Sequence, residues 1–135
     1  MKLLTALKIA GSGLTAQRVR LNIASMNLAN AHVTRTAEGG PYRAKDVILT
    51  SEPLNDEEGV SEVKVAEIVD DPAPFKEVYD PNHPDADERG MVRYPNVDVL
   101  TEMVELLSAG RAYEANLTVI NITRDLATKT IDIIR

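Results

Sequence analysis

A chain of 135 residues with no cysteine, no tryptophan, one phenylalanine and a formal charge of −6 has room for one ordinary domain. The absence of thiols removes disulfide scaffolds, thiolate metal sites and cysteine nucleophiles. The acidic balance argues against nucleic acid as the main partner, because that binding depends on a basic surface to neutralise phosphates.

The first segment steps alternately by four and three through Leu3, Leu7, Ala10, Leu14, Gln17, Leu21, Ala24, Leu28 and Ala31, all but Gln17 apolar. A mean step near 3.5 residues keeps one stripe facing a partner, as in a coiled-coil seam. The pattern predicts a helix from about Lys2 to Asn30, roughly 40 Å long at 1.5 Å per residue, with Asn30 closing it in the left-handed conformation that asparagine tolerates. Gly11 and Gly13 interrupt it and mark a kink or a close backbone approach. Lys8 breaks the apolar run MKLLTALKIA, so the start does not read as a cleaved secretory signal. No stretch is apolar for long enough to span a bilayer.

All seven prolines lie between Pro41 and Pro95, so helix breakers are confined to the centre. Charge follows the same division: residues 1–37 sum to +5, residues 38–98 to −10 and residues 99–135 to −1. Strand candidates in the centre are Tyr42 to Thr50, Val60 to Val69, Phe75 to Tyr79 and Met91 to Tyr94. They are separated by turn signals at Gly39 and Gly40, Asn55 to Gly59, Asp70 to Pro74 and Asp80 to Gly90. They predict a small antiparallel sheet that buries little, given so few aromatic residues.

The last segment repeats the helical device through Val99, Met103, Leu106, Gly110, Tyr113, Leu117, Ile120, Arg124, Ala127, Ile131 and Ile134. A second apolar line through Val97, Leu100, Val104 and Leu107, resumed by Val119, Ile122, Leu126 and Ile133, widens the stripe beyond what one partner helix covers. The expected fold is α+β: long N- and C-terminal helices packed as a coiled-coil-like bundle, and a small central antiparallel β-rich part. The division is residues 1–31 and 96–135 for the helical assembly part and 32–95 for the centre. Periodicity alone leaves open a closed helical hairpin serving as a non-enzymatic adaptor or scaffold.

The one cluster of hard ligands is HPDADERG, with His83, Asp85, Asp87 and Glu88. As a calcium loop starting at Asp85 it fails, because Arg89 falls at the fifth position and Asn96 where a bidentate Glu is required. Neither GSG at Gly11 to Gly13 nor any other segment forms a phosphate loop or a nucleophile elbow. No acid–base constellation stands out, and the reading is of a protein that is not an enzyme and holds no metal or cofactor.

The stretch SGLTAQRVRLNIASMNLANAHVTRTAEGGPYRAK (Ser12 to Lys45) resembles the N-terminal signature of the flagellar rod and hook axial family, with Asn27 and Asn30 at its two asparagine positions and Leu28 where Ile is common. VYDPNHPDADERGMVRYPNV (Val78 to Val97) and EMVELLSAGRAYEANLTVIN (Glu102 to Asn121) narrow the resemblance to the proximal-rod members. It implies a structural subunit exported without a cleaved signal through the flagellar type III export apparatus to the periplasmic rod of the basal body. It also implies a helical tube, transmitting torque around an export channel, whose inner wall is built of the terminal helices. The implied partners are further copies, other proximal and distal rod subunits and the rod-base protein, with no nucleic acid and no membrane span. The expected assembly interface is Leu3, Leu7, Leu14, Leu21, Asn27, Leu28, Asn30, Val99, Met103, Leu106, Tyr113, Leu117, Ile120 and Ile131.

Overall fold

The computed structural model describes residues 2–55 and 58–135; Met1 and the Asp56–Glu57 centre of the expected Asn55 to Gly59 turn lie outside the described residues. The chain runs α1 (Leu3–Ala29), β1 (Lys45–Pro53), β2 (Ser61–Asp70), β3 (Lys76–Tyr79), β4 (Met91–Tyr94) and α2 (Val99–Ile134). Both proline-free ends are helical, as the periodicity predicts. α2 starts where Asp98 caps it, its side chain accepting from the Thr101 N–H at 3.2 Å, which satisfies one of the orphan donors of the first turn. α1 ends differently from the expectation. Asn30 is not left-handed, with φ −104° and ψ 12°; its side-chain amide donates instead to the Met26 carbonyl at 2.8 Å, satisfying a last-turn acceptor without the strained backbone.

The helices pack antiparallel. Gly13 lies beside Asn116, Arg20 pairs with Glu105 at 2.9 Å and Asn27 bonds Glu102 at 3.0 Å. Stepping ten residues back from Gly13 and ten forward from Asn116 brings Leu3 roughly beside Leu126. The final two turns of α2 therefore project past the start of α1.

The centre forms two separate two-stranded antiparallel sheets, β1–β2 and β3–β4, in place of the single small sheet expected. β1 pairs with β2 from Lys45↔Asp70 to Pro53↔Ser61, with an irregularity between Ile48 and Leu49. This ribbon packs along α1, where the Val63 N–H donates to the Ser12 hydroxyl at 3.2 Å. Just past β2 the Asp71 N–H still donates to the Ala44 carbonyl at 2.8 Å, and side chains satisfy the carbonyls of Asp71 and Ala73. Asn96 donates to the carbonyls of Asp71 and Ala73 and accepts from the Ala44 N–H, while Arg43 reaches the same two carbonyls. Phe75 lies under both Arg43 and Arg93, at 4.2 and 5.0 Å from ring centre to guanidinium carbon. Backbone groups that cannot join a ladder need such partners, and these satisfy the link between the two sheets.

Among the described residues the buried apolar side chains are mostly alanine: Ala10, Ala16, Ala24, Ala31, Ala44 and Ala109, with Ile23, Val92 and Val97. Val97, expected in the unpartnered apolar row of the last helix, is instead 2 % exposed and packs with Ala31, Ala44 and Tyr42. It precedes α2, so it belongs to the junction and not to the helix face.

Candidate assembly surface

Where two long helices touch, the residues between them decide how close they come. On α1 the buried positions are Thr5, Ala10, Gly13, Ala16, Ile23, Ala24 and Asn27, mostly small. On α2 the positions Glu102, Leu106, Ala109, Tyr113, Asn116, Ile120, Thr123 and Ala127, all buried or half-buried, step by four and three along one line, with the half-buried Gly110 and Ala112 beside it. A Cβ on Gly13 would stand 2.6 to 2.8 Å from the Asn116 side chain, so glycine here marks a close approach and not a kink.

This line corrects the expected seam. It shares Leu106, Tyr113, Ile120 and Ala127 with the predicted stripe but uses Ala109, Asn116 and Thr123 where the sequence pattern chose Gly110, Leu117 and Arg124, and Glu102 where it chose Met103. Ala109 and Thr123 are the buried positions of this line, while Leu106, Tyr113 and Ile120 stay half-buried along it. Of the residues assigned to the interface, Leu3, Val99, Met103, Leu117 and Ile131 are exposed in the single chain. Leu7, Leu14, Leu21, Leu28, Leu106, Tyr113 and Ile120 are half-buried, as is Asn30, and Asn27 is buried. Ala109 and Thr123 lie one residue away from the stripe that the large apolar residues of α2 suggest, and the small buried residues of α1 are the signal that points to them.

Asn27 is the polar centre of the junction and is 1 % exposed. Its carbonyl oxygen accepts from the Tyr42 hydroxyl at 2.7 Å and the Lys45 N–H at 3.0 Å, and its amide donates to the Lys45 carbonyl at 2.9 Å and to Glu102. One side chain thus engages the backbone of β1 in both directions while tying α1 to α2, which uses the full capacity of an amide. Burial pushes the Glu102 carboxyl above its ordinary value, opposed by the Asn27 bond and reinforced by the charges of Asp46, Glu105 and Asp71. Asp46 is raised by burial as well. Burial likewise raises the Tyr42 phenol.

Among the described residues, the outer face of α2 carries a row of exposed apolar side chains. Leu100 is 72 % exposed, Ile133 84 %, and between them Val104, Leu107, Val119, Ile122 and Leu126 stand open. An apolar row of this length on a helix that already has one packed side marks an interaction surface.

The acidic turn before β4 is structural. Asp85 accepts from the Thr34 hydroxyl at 2.7 Å and pairs with Arg35; the Thr34 bond first, then Arg35, holds its carboxyl below the usual range. Asp87 is lowered by the backbone N–H groups of Met91 and Arg89 that it accepts. Among the described residues no group of three His, Asp or Glu is placed to hold a metal ion, and no helix is long and apolar enough to cross a membrane.

Residues 7–35 match the family described as flagella basal body rod protein, and residues 88–133 that described as flagellar basal body rod FlgEFG protein C-terminal. The matched segments contain most of α1 and most of α2. The chain is 47 % identical over 133 residues to the flagellar basal-body rod protein FlgC of Yersinia enterocolitica, covering 97 % of each chain. It is 50 % identical over 131 residues to that of Agrobacterium fabrum, covering 96 % of this chain and 94 % of the relative. To that of Bacillus subtilis it is 42 % identical over 143 residues, covering 95 % of each. Two packed terminal helices, an outward apolar face, and likeness along nearly the whole length agree: the chain belongs to the FlgC family of flagellar basal-body rod proteins, structural proteins and not enzymes.

Proposed function

We propose that the chain polymerises through its terminal helices into the tube of the proximal rod, which transmits torque and surrounds the export channel. In this reading residues 1–31 and 96–135 are the assembly part and residues 32–95 the outer part. The exposed Leu3, Val99, Met103, Leu117 and Ile131 contact neighbouring subunits directly. The half-buried Leu7, Leu14, Leu21, Leu28, Leu106, Tyr113 and Ile120 line the hairpin and its rim, and Asn27 and Asn30 hold the end of α1 that positions them. The partners are further copies, other proximal and distal rod subunits and the rod-base protein. Delivery is by the flagellar type III export apparatus, without a cleaved signal, to the periplasmic part of the basal body.

The observation that supports this reading is the apolar outer face of α2, which the hairpin leaves uncovered. The hairpin's closure within one chain is what would favour a free-standing adaptor, whose partner would then cover that face. Leu107→Asp separates the two. Leu107 is exposed, so the substitution should leave helix content and melting temperature nearly unchanged. Placed in an interface, the carboxylate would be buried unpaired at a cost of several kcal/mol. Cells carrying it should make the protein but build no rod and not swim; normal swimming would remove this face from the assembly.

A further inference from the structure

Where the β1–β2 ribbon seats on the hairpin, β1, α1 and α2 border an open cavity of about 290 Å³. Its charged lining is Arg20 from α1, Lys45 and Asp46 from β1, and Glu102 and Glu105 from α2. Both cations are already engaged. Arg20 bonds Gln17 at 2.7 Å and pairs with Glu105 at 2.9 Å, and Lys45 pairs with Asp70 at 2.6 Å. Among the described residues no cation pairs with Asp46 or Glu102, and Asp71, just past β2, adds a further negative charge to their surroundings. Asp46 stands at the exposed rim, whereas Glu102 is half-buried and held by the Asn27 amide. The same Asn27 grips the Lys45 backbone and accepts from the Tyr42 hydroxyl, so the bond that fixes Glu102 also fixes the root of the ribbon.

We propose that this junction is a proton-sensitive latch: Glu102, faced by Asp46, holds a proton while the ribbon is seated and gives it up when the ribbon lifts, so acidic conditions keep the ribbon down and neutral ones ease its release. The device belongs to the single chain and does not depend on which partners the outer face of α2 meets. Burial, and then the charges of Asp46, Glu105 and Asp71, favour neutral Glu102 in the closed state, against the Asn27 bond and against the positive end of the α2 dipole. Lifting the ribbon admits water and withdraws Asp46, which returns Glu102 towards its ordinary value of 4.5. The closed form therefore binds more protons between that value and the raised one. Closure strengthens as pH falls through this window, gains nothing further below it and is weakest above it. Arg20 and Lys45 are charged on both sides of the window and do not set it. The helices stay paired when the ribbon lifts, because their close contact at Gly13 and Asn116 lies about four turns along α2 from Glu102.

Native-state amide exchange of the full chain, with rates referred to those of unstructured peptides at each pH, tests the latch. Two amides bind the ribbon to α1: the Lys45 N–H, which donates to Asn27, and the Val63 N–H, which donates to Ser12. Their protection should fall at least about threefold from mildly acidic to neutral pH, since each unit between the closed and open values is worth tenfold. Low denaturant should affect them less than the amide of the buried Ala16 on α1, because opening the ribbon exposes less surface than unfolding the chain. Glu102→Gln keeps an acceptor for Asn27, cannot titrate, and should flatten the pH response of both amides. If that variant does not fold, Asp46→Asn at the exposed rim takes its place with a smaller flattening, and an unaltered response to it overturns the latch. So does protection that ignores pH, a pH response that survives Glu102→Gln, or exchange of Lys45 and Val63 with the full denaturant response of Ala16.

Discussion

Asn27 does in one side chain what the sheets and helices cannot do at the junction. Asn27→Ala leaves the Lys45 N–H and carbonyl, the Tyr42 hydroxyl and the Glu102 carboxylate without this partner in a buried setting. Orphaned buried groups cost about 1–3 kcal/mol each, partly recovered by water entering the gap. A loss of about 3 kcal/mol is expected, seen in thermal unfolding as a drop on the order of 10 °C. Glu102 carries the opposite sign. Its folded carboxyl holds a proton to higher pH than the unfolded one does, so the folded state binds more protons between the ordinary pKa, 4.5, and the raised one. Stability therefore rises as pH falls through that window, and above it the charge is a standing cost. Glu102→Gln keeps an oxygen to accept from Asn27 and removes the charge beside Asp46 and Glu105. The variant should melt higher than the parent at pH 7, with the advantage shrinking through the mildly acidic range and gone below the ordinary carboxylate pKa.

At the level of elements, the closeness of α1 and α2 depends on which side chains are missing from their contact. Gly13→Ala places a methyl group against Asn116, whose amide is itself bonded to the Ala112 carbonyl at 2.9 Å. Alanine favours a helix by roughly 1 kcal/mol over glycine, so an open site would be stabilised. Here the clash is expected to cancel that gain or exceed it, and Asn116→Ala in the same chain should restore it. A double-mutant cycle on melting temperature reads the coupling directly; additive effects would mean that the helices stand further apart than the close approach at Gly13 requires. The β1–β2 ribbon depends on α1 in turn, through Ser12 and through the end of β1 that Asn27 holds.

For the whole molecule, the interior is built largely of alanine while leucine, isoleucine and valine of α2 remain outside. Folding the single chain thus buries little of the apolar area that drives stability, and the rest becomes available on contact with neighbours. Leu107→Asp belongs to this scale, because it reads the molecule's use of surface that its own fold does not cover.

The two helices, the position of the proline-rich centre, and the excess of apolar surface on the last helix are written locally, in 3.6-residue and 3.5-residue periods and in the placement of helix breakers, and reading them needs no knowledge of distant contacts. The strand β4 is likewise found at Met91 to Tyr94 and β2 within one residue of its expected bounds, while β1 and β3 begin later than the apolar pattern suggests, because Arg43, Ala44 and Phe75 are engaged by other parts of the chain. The tertiary structure alone decided which line of α2 faces α1. Several stripes on a broadly apolar helix have equivalent periodicity, and the choice falls to the one whose small residues, Ala109 and Thr123, meet the small residues of α1. It also decided that Val97 is core, that the sheet divides in two, and that Asn27 joins three elements at once. Each depends on groups far apart in sequence arriving at the same place, and no local pattern records that meeting.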